Sequence, residues 1–376
     1  MLRIVLPSIA MVAVTYAFAR FSFGLFLPDI SNTLGLSESD GGFVGSTGYV
    51  SYSLALLISS FLIKKLGQRK VNDLAGLTAV IGLLGIATAN SFVYLVIAVF
   101  VAGIGSGLAS PALSQMATNT FTRDKLDQAN TWINSGTSFG IIITGPIVLL
   151  FTEQWRLSFS FFAFIAVIVL IWNHFIIPSN KDQKDVSNDK TNWLSVIKTA
   201  KFLITASLII GISSSIFWTF SRSFITTEYN MTTKESVVFW IVMGVAGIVG
   251  GVAGGLIQRI GLGWTYRLIL LVMLGSIAML NISADVFVYM SAGLFGVAYI
   301  LLTGLFIVWS TRTFENSPAI GVSMSFLSLG IGQSLGSFFA GKTIEMTSYQ
   351  FGFTLFAILG LVGLLVPTEI KHAPTP

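Results

Sequence analysis

The sequence predicts an all-α membrane protein of twelve transmembrane helices, arranged as two pseudo-symmetric six-helix bundles. Three observations carry that reading. Of 376 residues, 54% are hydrophobic and only 10% charged, where a soluble domain carries about 25% charged residues. Mean hydropathy is +0.83, too apolar to cover a soluble core with a wettable surface. Apolar runs of roughly 20 residues, the length that crosses about 30 Å of hydrocarbon, recur along the chain, and short matches return at one long spacing. Disordered chains, cytosolic enzymes and disulfide scaffolds are excluded. With no cysteine and only two histidines, His174 and His372, no thiolate or histidine metal site is expected.

The first run, 4–30, is too long for a signal peptide, lacks a small-residue cleavage site and is interrupted by Arg20, so it reads as a span. The second, 41–63, runs into Lys64-Lys65; the third is 72–90, with Asp73 at its start. The fourth, 92–118, contains Gly103-Ile-Gly105-Ser-Gly107, a small-residue face for close helix packing. The fifth, 131–151, carries Gly136, Gly140, Gly145 and Pro146, and the sixth, 155–177, opens on Trp155-Arg156. A polar stretch of mixed charge from Pro178 to Lys201 then divides the chain. The expected organisation is a bundle over 1–178, a linker over 179–199 and a second bundle over 200–376. Its spans are 200–227, 236–257, 265–283, 286–311, 318–341 and 350–367.

Lysine and arginine bias orients these spans. With the N-terminus inside, sixteen basic residues fall on the inner side, among them Arg3, Lys64, Lys65, Arg69, Lys70, Arg259 and Arg312. Three fall outside: Arg156, Lys234 and Lys342. Both termini and the central linker are therefore expected in the cytoplasm, in a multi-pass protein of the cell membrane. The net charge of +5 is a topology signal rather than a nucleic-acid patch.

Four matches recur in order. Tyr16-Ala-Phe18-Ala-Arg20 answers Trp218-Thr-Phe220-Ser-Arg222 after 202 residues, and Leu62–Gly67 answers Leu256–Gly261 after 194. Phe92-Val-Tyr94 returns as Phe287-Val-Tyr289 after 195, and Gly136-Thr-Ser138-Phe-Gly140 as Gly332-Gln-Ser334-Leu-Gly336 after 196. Six helices end where they began, so a copy enters the membrane in the same sense, with a substrate site between the halves near midplane.

Over essentially its whole length the chain resembles the major facilitator superfamily. The segment Ser60-Phe-Leu62-Ile-Lys64-Lys65-Leu-Gly67-Gln-Arg69-Lys70 is similar to that family's basic-glycine loop, echoed by Gly254-Gly-Leu256-Ile-Gln258-Arg259-Ile-Gly261. The resemblance implies the two-bundle fold, alternating-access transport and an inner gate at Lys64, Gly67, Arg69, Gln258, Arg259 and Gly261. Lys64 and Gln258 stand where the family has an aspartate. The frequent fourth-helix arginine would fall near Val99 and is absent. The glycines of the fifth span are sparser than the family's antiporter motif.

All sixteen acidic residues fall in loops or at span ends, Asp29 and Glu228 included. Two cations do lie within spans, Arg20 and Arg222. Arginine at bilayer depth costs at least about 2.5–3.5 kcal/mol, tolerable if the side chain meets an anion in a wet cavity. A guanidinium grips a carboxylate or phosphate through two parallel hydrogen bonds. Tyr16 and Trp218 lie four residues before their arginines, on the same helical face, within reach of cation–π contact; Phe18 and Phe220 flank them. The expectation is a clamp in which Arg20 and Arg222 hold one small organic or inorganic anion, as in the superfamily's organophosphate:phosphate antiporters. Helix-end or snorkelling roles for the arginines are the structural alternative. Asn134, Gln115, Tyr299 and Gln333 are further polar candidates for the cavity wall, with Tyr49 and Tyr52 behind them.

Two rival functions follow. The 31 phenylalanines suit a proton-coupled exporter of neutral lipophilic compounds. Gly136-x-Ser138-x-Gly140 has the letters of a hydrolase elbow, in an intramembrane hydrolase or a transport-dead sensor, but no base lies near Ser138. Gly103-x-Gly105 lacks the strand and acidic partner of a dinucleotide site. The expected partners are the bilayer, a small anionic substrate and a coupling proton or counter-anion. No cofactor and no nucleic acid are expected, and the chain is expected to be a monomer.

Overall fold

The computed structural model describes residues 1–151, 154–179, 193–249, 253–314 and 318–368. Among these the chain is helical almost throughout, without a strand. Helix α1 spans Leu2–Leu34, followed by α2 (Glu38–Leu66), α3 (Gln68–Ala87), α4 (Phe92–Thr120), α5 (Arg123–Asn134), α6 (Gly136–Phe151) and α7 (Trp155–Ile176). The second half holds α8 (Trp193–Glu228), α9 (Thr233–Val249), α10 (Ala253–Met279), α11 (Asp285–Thr313), α12 (Pro318–Met346) and α13 (Tyr349–Leu361). Among the described residues ten stretches are long and apolar enough to cross a membrane, and Tyr349–Leu365 is a shorter apolar helix; α9, of 17 residues, stands at the remaining expected place. Helices α5 and α6 follow each other across a break at Ser135.

Local sequence sets the boundaries. Ser37 and Asp40 form a reciprocal capping box at the start of α2, and Ser91 and Ser348 cap α4 and α13. Gly35 ends α1 in the left-handed conformation, φ 65°, and Asn230, 195 residues later, takes φ 52° just past α8. The repeat is sharpest at two other glycines. Gly67 has φ 84° and ψ 155° between α2 and α3, and Gly261 has φ 80° and ψ 162° inside α10, where it breaks the helix. Only glycine adopts that backbone freely, so the same turn is built from the same residue in both halves.

The helices overrun the apolar runs. Helix α8 has 36 residues, and it begins at Trp193, inside the stretch 179–199 expected as linker. Apolar runs mark only the hydrocarbon-embedded part of a helix, and polar first turns extend beyond it. The rest of that stretch, 180–192, lies outside the described residues.

Helix α3 packs against α4 and against α7 in the first half, and α8 with α12, and α11 with α9 and α10, in the second; α2–α12, α6–α9 and α1–α8 join the halves. At the α2–α12 seam a Cβ on Gly42 would strike the backbone of Gly341 and Ser337, so the helices touch backbone to backbone. Apolar side chains such as Phe175, Val286 and Leu57 point outward, exposed by 76%, 73% and 59%, as a lipid-facing surface requires.

Candidate functional site

Helix α1 is π-wound over Ala13–Phe21. Wide turns of this kind re-aim side chains and recur at functional sites; this one delivers Arg20 to the seam between the halves. Arg20 is only 8% exposed, and its Nη2 donates to Gln333 Oε1 of α12 at 2.6 Å. Gln333 is held from behind, its Nε2 donating to the Tyr299 hydroxyl at 3.0 Å. Aromatic rings surround the guanidinium: Tyr52 at 3.9 Å, Tyr49 at 4.8 Å, Phe21 at 5.0 Å and Tyr16 at 5.7 Å from ring centroid to Cζ. Such contacts favour a cation by about 2 kcal/mol when desolvated, but they satisfy no N–H. Arg20 Nε is buried without a hydrogen-bond partner. Among the described residues no carboxylate pairs with Arg20.

Trp218 of α8 lies across from it. Its ring stacks on Phe21 at 4.3 Å and meets Tyr299 edge-on at 5.1 Å, while its Nε1 is a second buried donor without a partner. Arg20, Tyr49, Trp218 and Thr219 line a small cavity of about 10 Å³, room for about one water. Two unpartnered donors, one cationic, beside an aromatic wall make a site with surplus hydrogen-bond donors. Its chemistry suits an acceptor carrying negative charge.

Arg222 is placed differently from the expectation. It is 1% exposed, and its Nη1 donates to Asp29 Oδ2 and to the Leu25 carbonyl, both on α1. Its Nε donates to Ser236 Oγ at 3.0 Å. The expected clamp on one shared anion is thus split in this conformation, because Arg222 already has a carboxylate. The helix ends explain the offset. Arg20 lies fifteen residues before Gly35 and Arg222 eight before Asn230, so Arg222 is about two turns, roughly 10 Å, nearer that end.

Among the described residues, several polar links join the halves at the depth of Arg20 or nearer the face away from the basic loops. Ser39 N donates to Glu345 Oε2 at 2.9 Å and Ser337 Oγ to the Gly42 carbonyl at 3.1 Å, and the Arg222–Asp29 pair also crosses between the halves. Toward the basic face, Ser114 and Thr118 of α4, Asn134 of α5 and Ser323 of α12 are exposed.

The remaining candidates divide. Tyr16, Tyr299 and Gln333 join the Arg20 site. Phe18 stacks on Phe162 at 4.6 Å inside the first half, and Phe220 is fully buried core; neither touches the site. Gln115, expected mid-span, lies near the end of α4, donating to Asn119 Oδ1 at 3.1 Å, and Asn119 donates on to Gln68 Oε1 at 2.7 Å. Asn134 ends α5 and is exposed. Both sit near the basic face because Gln115 lies in the last turn of the run 92–118 and Asn134 in the first turn of 131–151. Of the loop residues, Gly67 and Gly261 make the matched turns, Lys64, Gln258 and Arg259 are exposed, and Arg69 is half-buried. Gln68, passed over in the sequence, is 2% exposed and ties that loop to α4. Ser138 is 2% exposed and faces Gly247 of α9, a packing position. Asp29 as a partner, Phe21 and Ser236 carried no signal, since each depends on a neighbour distant in sequence.

Comparisons with known proteins agree with this architecture. The chain is 23% identical over 394 aligned residues to a hexuronate transporter of Bacillus subtilis (strain 168), covering 95% of this chain and 93% of the relative. A probable sulfoacetate transporter of Cupriavidus necator is 23% identical over 262 residues, covering 64% and 60%. A sialic acid transporter of Escherichia coli (strain K12) is 25% identical over 191, covering 49% and 46%. Among solved structures, a D-xylose-proton symporter superposes with a TM-score of 0.80 at 14% identity, covering 98% of this chain and 99% of the other. The nucleoside transporter NupG reaches 0.76 at 15% identity, covering 97% of each chain. The sequence profile described as Major Facilitator Superfamily matches residues 9–330. The chain belongs to that superfamily, and it is a multi-pass membrane transporter rather than an enzyme.

Proposed function

We propose that this chain is a secondary transporter of small organic anions, working by alternating access, with Arg20 as the group that receives the anion. The observation that carries this is Arg20 itself: a buried guanidinium with no carboxylate partner among the described residues and an unpartnered Nε. Burying an unpaired charge is expensive. Aromatic rings and one amide offset part of that cost, and a bound carboxylate offsets the rest.

The Arg222–Asp29 pair acts as a latch that closes the face away from the basic loops. Placing those loops in the cytoplasm, by the positive-inside bias, makes this the state closed to the outside of the cell membrane. In this reading the two bundles rock about the Arg20 level, and the carrier acts as a monomer driven by an ion or anion gradient rather than by ATP. Hexuronate, sulfoacetate and sialic acid, named for the relatives, are acids ionised at neutral pH, and they support an anionic substrate.

A thermal-shift screen of purified protein tests this. A ligand of the folded state raises stability as RT ln(1 + [L]/Kd). A uronate should raise the melting temperature where the matching neutral hexose does not, and Arg20→Gln should remove the difference. Stabilisation by neutral lipophilic compounds alone would favour the exporter.

A further inference from the structure

The two unpartnered donors beside the small cavity belong to opposite halves. Arg20 comes from α1 and Trp218 from α8, and both are buried. A circuit of contacts joins them. Arg20 Nη2 donates to Gln333 Oε1 and Gln333 Nε2 to the Tyr299 hydroxyl. Tyr299 meets the Trp218 ring edge-on, Trp218 stacks on Phe21, and Phe21 lies against the guanidinium. The cavity of about 10 Å³ touches Arg20, Phe21 and Trp218 together.

Nε and Nη2 form one edge of the guanidinium, and such an edge takes a carboxylate through two parallel hydrogen bonds. In Arg20 that edge is half used. Nη2 holds a neutral amide oxygen, while Nε has no partner. Trp218 Nε1 has none either. An indole N–H only donates, and leaving it buried and unbonded is costly. Room for about one water is also room for one carboxylate oxygen.

We propose that Trp218 is a second anion-binding residue, donating from Nε1 to the carboxylate oxygen that Arg20 Nε also holds. That oxygen fills the small cavity, and the other takes the place of Gln333 Oε1 at Nη2. The exchange is favourable because a charged acceptor bonds about twice as strongly as a neutral one. The inference rests on the reading of Arg20 as the seat of the anion, and it adds that the carboxylate is gripped from both halves at once. The competing partner for the indole is a ring face. Trp218 meets Tyr299 at 77° and Phe295 at 73°, and an N–H aimed at such a face makes a weak bond. The two assignments differ in the magnetic environment of the indole proton: a ring face shields it, and a carboxylate oxygen deshields it.

Indole NMR and binding calorimetry with glucuronate test this. In protein labelled at the indole nitrogen, Trp218→Phe identifies the Trp218 signal by its loss. If that variant does not fold, replacing the other tryptophans singly identifies the signal by elimination. Saturating glucuronate should move it downfield. Trp218→Phe keeps an aromatic ring but no N–H, and it should weaken glucuronate binding about tenfold or more, while Arg20→Gln should abolish it. A signal that bound glucuronate leaves unmoved, or a folded Trp218→Phe protein that binds as tightly as wild type, would overturn the role of Trp218. Loss of binding in Arg20→Gln would in that case leave the reading of Arg20 standing. Binding that survives Arg20→Gln, or no binding by the wild type, would overturn both.

Discussion

Arg222 of α8 and Asp29 of α1 form a buried ion pair across the two halves, with the Leu25 carbonyl and Ser236 completing the guanidinium's partners. The pair joins α8 to α1 and leaves Arg20, about two turns deeper, as the buried cation without a carboxylate among the described residues. Two arginines that look alike in sequence thus have different surroundings, one paired with a carboxylate and the other ringed by aromatic side chains.

Breaking the latch should open the face away from the basic loops. Removing one partner of a buried pair costs about 3 kcal/mol, and here the loss falls only on the closed conformation. Ser223 is 5% exposed and adjoins Arg222, and the chain has no native cysteine. In a Ser223→Cys background, Asp29→Ala should raise labelling by a water-soluble thiol reagent at least tenfold. An unchanged rate would mean that the pair does not hold the face shut.

Steric wedging should act in the same direction by another route. A side chain at Gly42 has no room against Gly341 and Ser337, so Gly42→Val should part α2 from α12 and raise Ser223→Cys labelling without touching any charge. If Gly42→Val leaves labelling low while the protein folds, the seam is not where the halves separate.

Gln333 offers a test of what Arg20 binds. Its Oε1 already lies 2.6 Å from Arg20 Nη2, so Gln333→Glu would supply a tethered carboxylate of nearly the same shape. A charge-assisted bond is roughly twice as strong as a neutral one. The built-in anion should compete with substrate and raise its Kd about a hundredfold, measured by binding calorimetry. Unaltered anion affinity would place the substrate elsewhere.

Orientation is checked by labelling in intact cells. Ser179 lies at the exposed end of the segment after α7, and a Ser179→Cys variant should resist an impermeant reagent until the membrane is broken. Labelling from outside would invert the topology drawn from the sixteen-to-three distribution of basic residues.

Much of the fold was legible because bilayer thickness dictates it. Apolar length located the spans, and the shared Gly67 and Gly261 turns made the internal repeat readable. Arg20, Tyr16, Trp218, Tyr299 and Gln333 stood out as polar or amphipathic side chains within apolar runs. The pairing of Arg20 with Arg222 went astray on one number. That match is spaced 202 residues apart, while the other three are 194 to 196 apart, and the excess of about seven residues is the two-turn difference in depth. Asp29 was visible at a span end, but the partner it meets is 193 residues away, and no local pattern reports such a contact. Phe18 and Phe220 lie away from the Arg20 cluster because two-residue spacing turns a side chain to another helical face.

Uptake of a radiolabelled uronate into proteoliposomes by the Arg20→Lys variant tests the role of Arg20 most directly. Lysine keeps the charge and the fold's electrostatics but loses the two parallel N–H donors. With protein level and melting temperature matched to wild type, uptake should fall about a hundredfold, equivalent to ~2.7 kcal/mol, within the range for hydrogen bonds to charged groups. A folded Arg20→Lys protein that takes up the anion at the wild-type rate would show that Arg20 is structural and that the anion is held by other residues.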